Sequence, residues 1–191
     1  MFRSAMAAVI VALITTAGSA TAQQHPQTRQ GFWIGFGLGA GSAGASCTGC
    51  STEREFGLSG YFRAGGTITP NLLIGGETNG WLKSESGLTQ QVGVLSGVAY
   101  FYPMPTSGLY LKGGAGLMTY RADDDVDQLT STGLGVQFGL GYDFRLGSNF
   151  SLTPFGNFLV AFGADARFDG VSLGENLNPN VFQFGLGLNW H

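Results

Sequence analysis

The chain has 191 residues, 33 of them glycine and 15 phenylalanine, with 11% charged residues and a net charge of −3. A water-exposed globular domain carries about 25% charge, and no apolar run of membrane-helix length follows the N-terminus. Without any Lys/Arg cluster the chain lacks the basic patch of a nucleic-acid binder, and its composition favours a single membrane β-barrel domain.

Residues 1–22 read as a cleavable secretory signal peptide. Arg3 supplies the positive start, Ala5 to Ile14 the apolar core, and Ala20-Thr21-Ala22 a small-x-small cleavage site. Gln23 rather than Cys follows that site, which argues against a lipoprotein. Residues 23–30 (QQHPQTRQ) form a short polar lead, in which His25 is expected to be solvated.

From Phe32 onward large apolar residues alternate with small or polar ones, the period of a strand. Eight strands are predicted, at about 31–43, 55–69, 72–83, 91–102, 108–120, 132–146, 150–163 and 180–190. Their connections alternate in length. Pro70-Asn71, Pro103 to Ser107 and Gly147-Ser148-Asn149 are short and built from turn-forming residues. The connections near 44–54, 84–90, 121–131 and 164–179 are longer, and a short hairpin around Phe168 to Leu173 would raise the strand count to ten. Short turns on one side and long loops on the other are the pattern of an eight-stranded antiparallel up-and-down transmembrane barrel with both termini periplasmic.

Parity assigns the two faces. In the sixth strand Leu134, Val136, Phe138, Leu140, Tyr142 and Phe144 share one side, and Gly135, Gln137, Gly139, Gly141, Asp143 and Arg145 the other. Throughout the chain charge sits with the glycines, so the large apolar side faces lipid. A soluble barrel would be apolar inside and charged outside. The predicted lumen charges are Arg63, Glu77, Lys112, Asp143 and Arg145, and Tyr61 and Tyr110 are expected to lie over inward glycines. Phe32, Tyr100, Tyr102, Phe144 and Trp190 fall at one set of strand ends, and Phe56, Phe162 and Phe182 at the other, as two interfacial aromatic belts would.

The closing stretch VFQFGLGLNWH places Phe182, Phe184, Leu186, Leu188 and Trp190 on one side. With the signal peptide, eight alternating strands and alternating connections, it resembles the small Gram-negative outer-membrane β-barrel family, with OmpA/OmpX-like and porin-family barrels. The resemblance spans residues 31–191. It implies that these five residues form the insertion signal read by the barrel-assembly machinery. It also implies a place in the outer membrane among lipid and lipopolysaccharide. Family members usually end on Phe or Trp itself, whereas His191 follows Trp190 here.

Catalytic and metal readings have little to build on. His25 and His191 are the mature chain's histidines, one in the lead and one at the terminus, and no Ser-His-Asp triad assembles from them. Cys47 and Cys50 (CTGC) lack the further ligands of a zinc site and read as a local loop disulfide. Asp123, Asp124, Asp125 and Asp127, with Asp165, Asp169 and Glu175, give acidic loops without EF-hand spacing. No cofactor or metal is expected. Eight strands leave an interior that side chains can fill, so the lumen charges are expected to pair and plug the barrel. The expected role is structural or surface-interacting, through an extracellular partner the sequence does not specify. The alternative is a narrow porin-like channel for ions or small solutes.

Overall fold

The computed structural model describes residues 29–47, 50–51, 53–85, 87–124 and 128–191. The signal peptide, His25, Asp125 and Asp127 lie outside them. The described residues form one closed antiparallel barrel. Its strands are β1 (Phe32–Cys47), β2 (Glu55–Thr69), β3 (Leu72–Glu85), β4 (Leu88–Phe101), β5 (Leu109–Asp123), β6 (Gln128–Tyr142), β7 (Phe150–Phe168) and β8 (Asn178–Trp190). Each pairs with its neighbours in sequence. β8 closes the ring on β1, with Trp190 opposite Ile34, Leu188 opposite Phe36 and Phe182 opposite Ser42. A complete ring leaves no edge strand to aggregate.

The eight expected strands are present, but the longer connections are in large part strand. β3 and β4 continue to Glu85 and Leu88, and β5 and β6 to Asp123 and Gln128. The hairpin near Phe168 also exists: Val171–Asn176 folds back on β7 through Asp169-Gly170. Both turn residues have positive φ (47° and 81°), the conformation of a tight primed hairpin turn that Asp-Gly favours. This hairpin prolongs β7 beyond the ring and adds no stave to it. Side-chain hydrogen bonding ties it to the neighbouring loop, since Asp169 Oδ1 accepts from Gln128 N at 3.0 Å.

Among the described residues the ring's ladders shift register at two places, one at Thr67/Thr69 beside the β2–β3 turn and one within the wall between β6 and β7. Thr132 pairs with Asp165 and Leu134 with Phe162, so Gly163 and Ala164 together face Gly133. Gly163 sits at φ 59°, the left-handed residue of a β-bulge that turns the strand sharply.

The alternation holds. Leu38, Leu58, Leu95, Leu117, Phe138, Leu140 and Leu186 face outward and are exposed, giving an apolar outer band. Phe32, Phe144 and Trp190 at one end, and Phe56, Phe162 and Phe182 at the other, are exposed as belts require. Tyr100 and Tyr102 are not belt residues: both are 1% exposed, inside the barrel. Their strand misleads because β4 turns Val92, Val94 and Val98 inward while Gly93, Gly97 and Ala99 face out. Large residues therefore do not mark its outer face.

Candidate functional site

The lumen is built in layers, described here from the end that holds the chain termini. At the base, β6 stops at Tyr142 and Asp143 turns into the barrel. Its carboxylate accepts from Tyr102 Oη at 2.8 Å, Thr153 Oγ1 at 2.6 Å and Asn189 Nδ2 at 2.9 Å. His191 folds back so that Nε2 lies 3.7 Å from Asp143, and its amide donates to Asn149 O at 3.0 Å. The terminal histidine is thus part of the barrel base. Arg145 is buried in the same region.

Arg29, the end of the polar lead, also belongs to this layer. It donates to Pro105 O at 3.0 Å and Ser107 O at 2.7 Å. Its guanidinium carbon stands 3.5 Å from the Tyr102 ring centroid, a cation–π contact. No period marks Arg29 in the sequence, because it precedes the first strand.

Arg63 occupies the next layer from β2. It donates to Asn189 Oδ1 at 2.8 and 3.2 Å and to Tyr110 Oη at 3.3 Å. Its guanidinium lies 4.8, 4.7 and 5.3 Å from the rings of Tyr61, Tyr100 and Tyr110. Beside it Glu77 of β3 meets Lys112 of β5 at 2.5 Å, reaching across β4. Both side chains are at most 1% exposed. Glu77 also accepts from Tyr100 Oη and, at 2.7 Å, from Asn79 Nδ2. An ion pair this deep needs further hydrogen bonds to offset the loss of water, and Tyr100 and Asn79 supply them.

The structure therefore brings Arg63, Glu77, Lys112 and Asp143 into one connected set, with Asn189 bridging Arg63 and Asp143. Neutral partners complete it. Asn79 donates to Gln137 Oε1 at 3.2 Å, Gln137 donates to Ser96 Oγ, and Asn157 donates to Gln183 at 3.4 Å. Parity already puts Gln137 on the inward side with Asp143 and Arg145, but the expected network held charged residues alone and so left these amides out. The inward glycines make room. A Cβ on Gly141 would meet Tyr110 Oη at 2.4 Å, and one on Gly187 would meet Tyr61 Oη at 2.2 Å.

Toward the loops the interior changes character. Trp81, Val92, Val94, Met118, Leu159 and Val181 form an apolar layer, with Trp81 Nε1 donating to Gly41 O at 3.0 Å. The inward glycines continue here, Gly41 and Gly57 against Trp81 and Gly135 against Met118, but the charges expected beside them do not enter this layer. Above this layer lies a rim cavity of about 320 Å³.

The loop residues are placed as follows. Cys47 and Cys50 are backbone register partners; their side chains, and that of Glu175, lie outside the described residues. Asp123 accepts from Gln128 at 2.9 Å, and Asp165 from Ser172 at 3.1 Å. Among the described residues no group of three His, Cys, Asp or Glu is arranged to hold a metal.

Known structures share this barrel. Neisserial surface protein A superposes with a TM-score of 0.59 at 18% identity, over 85% of this chain and 98% of its own. Ail, the attachment invasion locus protein of Yersinia pestis, crystallised in complex with the heparin analogue sucrose octasulfate, gives 0.53 at 14% identity, over 84% and 99%. OprG from Pseudomonas aeruginosa gives 0.52 at 14% identity, over 87% and 99%. No curated protein matches the chain in sequence. These likenesses establish the fold, and the outer membrane protein beta-barrel domain matches residues 9–189. With a closed eight-stranded ring, an apolar outer band and that match over most of its length, the chain belongs to the Gram-negative outer-membrane β-barrel family.

Proposed function

We infer that this protein is a non-conducting outer-membrane barrel that acts through its extracellular loops rather than through its lumen. The observation that carries this reading is the Glu77–Lys112 pair, fully buried and completed by Tyr100 and Asn79 across the interior. Arg63, clamped by three tyrosine rings and Asn189, fills the adjoining space. A solute would have to break hydrogen bonds to charged groups, each worth about 1.5–3 kcal/mol, and then pass the Trp81–Met118 layer. In this reading the signal peptide exports the chain, and the assembly machinery recognises Phe182, Phe184, Leu186, Leu188 and Trp190. The termini and Arg29 face the periplasm. The role is non-enzymatic. Ail was crystallised with a sulfated heparin analogue; the acidic residues at this rim suit a different, non-anionic partner.

Planar-bilayer recording of the refolded mature protein, after a heat-modifiability check of folding, tests this. A silent bilayer is expected. Steady single-channel openings would replace the reading with a narrow pore, whose ion selectivity would then follow Glu77 and Lys112.

A further inference from the structure

The rim cavity of about 320 Å³ lies at the low end of the roughly 300–1,000 Å³ typical of small-molecule sites, which are mostly apolar with a few placed polar groups. Its wall carries Ala45, Leu88, Val92, Tyr120, Leu129 and Leu177. Leu177 is fixed there, because its carbonyl accepts from Ser131 Oγ at 2.6 Å and its amide donates to Ala164 O at 2.9 Å. Val92 and Tyr120 of this wall continue into the apolar layer of Trp81, Met118 and Leu159, so the cavity forms a cup against that layer. A second cavity of about 250 Å³ adjoins it through Glu55, Leu88 and Gln90.

The polar lining is acidic. Glu53 and Glu55 line the cup, and Glu85 lines its neighbour. Lys83 pairs with both Glu55 and Glu85; Glu53 stays exposed. The nearby cation Arg54 is drawn to the outer side of the wall, where it donates to Ser42 O and Asn180 Oδ1, each at 2.5 Å. Gln90, which accepts from Tyr120 Oη at 3.1 Å, is the neutral polar group of the lining, and carboxylates outnumber cations around an apolar wall.

We propose that this cup binds small amphipathic cations: a primary amine on a compact aromatic or aliphatic body. The body packs against Val92, Tyr120, Leu129 and Leu177, and the ammonium lies between Glu53 and Glu55. Binding is read separately from conductance, so this inference stands or falls apart from the closed-lumen reading.

The test is calorimetric titration of the mature chain in phosphatidylcholine nanodiscs with 2-phenylethylamine, 2-phenylethanol and 3-phenylpropionate. Saturable amine binding is expected, about tenfold tighter than the alcohol because a charge-assisted contact is lost, with the acid not binding. Glu53→Gln with Glu55→Gln should bring the amine to the alcohol's affinity and leave the alcohol unchanged. Ala45→Trp, which fills the cup, should abolish binding of both. Leu129→Gln, at the open rim, serves if Ala45→Trp loses its heat-modifiable fold, and should weaken both severalfold. Absence of saturable amine binding, equal affinity for all three compounds, or binding unchanged in the cup-filling variant would overturn the proposal.

Discussion

A Cβ added to Gly37 would sit 2.4 Å from Cε1 of Tyr61 and 2.9 Å from Cε1 of Phe155. Those two rings already pack edge to face at 4.7 Å, so neither can yield without displacing the other. Gly37→Ala should therefore destabilise the barrel by about 1–3 kcal/mol, the usual cost of overpacking. Gly80→Ala is the control: its Cβ would meet nothing within 4 Å on the outer face, and its effect should stay within about 0.5 kcal/mol. Urea unfolding in lipid vesicles measures both. Glu77→Gln makes a different point. It strands Lys112 in the interior, and removing one partner of a buried pair costs about 3–5 kcal/mol. An unfolding midpoint unchanged from the parent would show that the pair contributes little.

Among the strands, β7 carries a bulge far from any turn to its ring neighbours. Gly163 holds the bulge at φ 59°, where a β-branched residue is strongly disfavoured. Gly163→Val should cost about 1–3 kcal/mol of local strain. The loss should appear as faster amide exchange at the loop end of β6 and β7, with β1 and β2 unaffected. The bulge matters to the rim because it lies beside Ala164, whose backbone holds Leu177 and Asn178 in place. β4 turns valines inward and glycines outward: Val92 and Val94 join the apolar layer, and Val98 packs with Trp33, Leu73 and the tyrosines of the terminal half.

Over the whole molecule, the outer band must stay uncharged. Leu95 lies at the midpoint of β4, exposed on the apolar face beside Leu117. Leu95→Arg should lower stability by about 2–4 kcal/mol in a bilayer. The same change should matter far less in short-chain detergent, where the head group is easily solvated. Comparing unfolding in the two media checks that the cost comes from the membrane rather than from the barrel.

The alternation and the facing of almost every strand are legible in the sequence, because period-two patterning is local and survives without any knowledge of neighbours; whether the ring has eight staves or ten is not, and the structure makes the hairpin after Phe168 an extension of β7. The same local patterning places Arg63, Glu77, Lys112, Asp143 and Arg145 inside. What only the closed ring decided was who meets whom. Glu77 reaches Lys112 over an intervening strand, Asn189 joins Arg63 to Asp143 across the β8–β1 seam, and Arg29 and His191 fold in from outside the alternating pattern. The division of the interior into a polar terminal half, an apolar layer and an acidic cup also arises only on closure. It depends on how far each strand is staggered against the next, and no single strand carries that information.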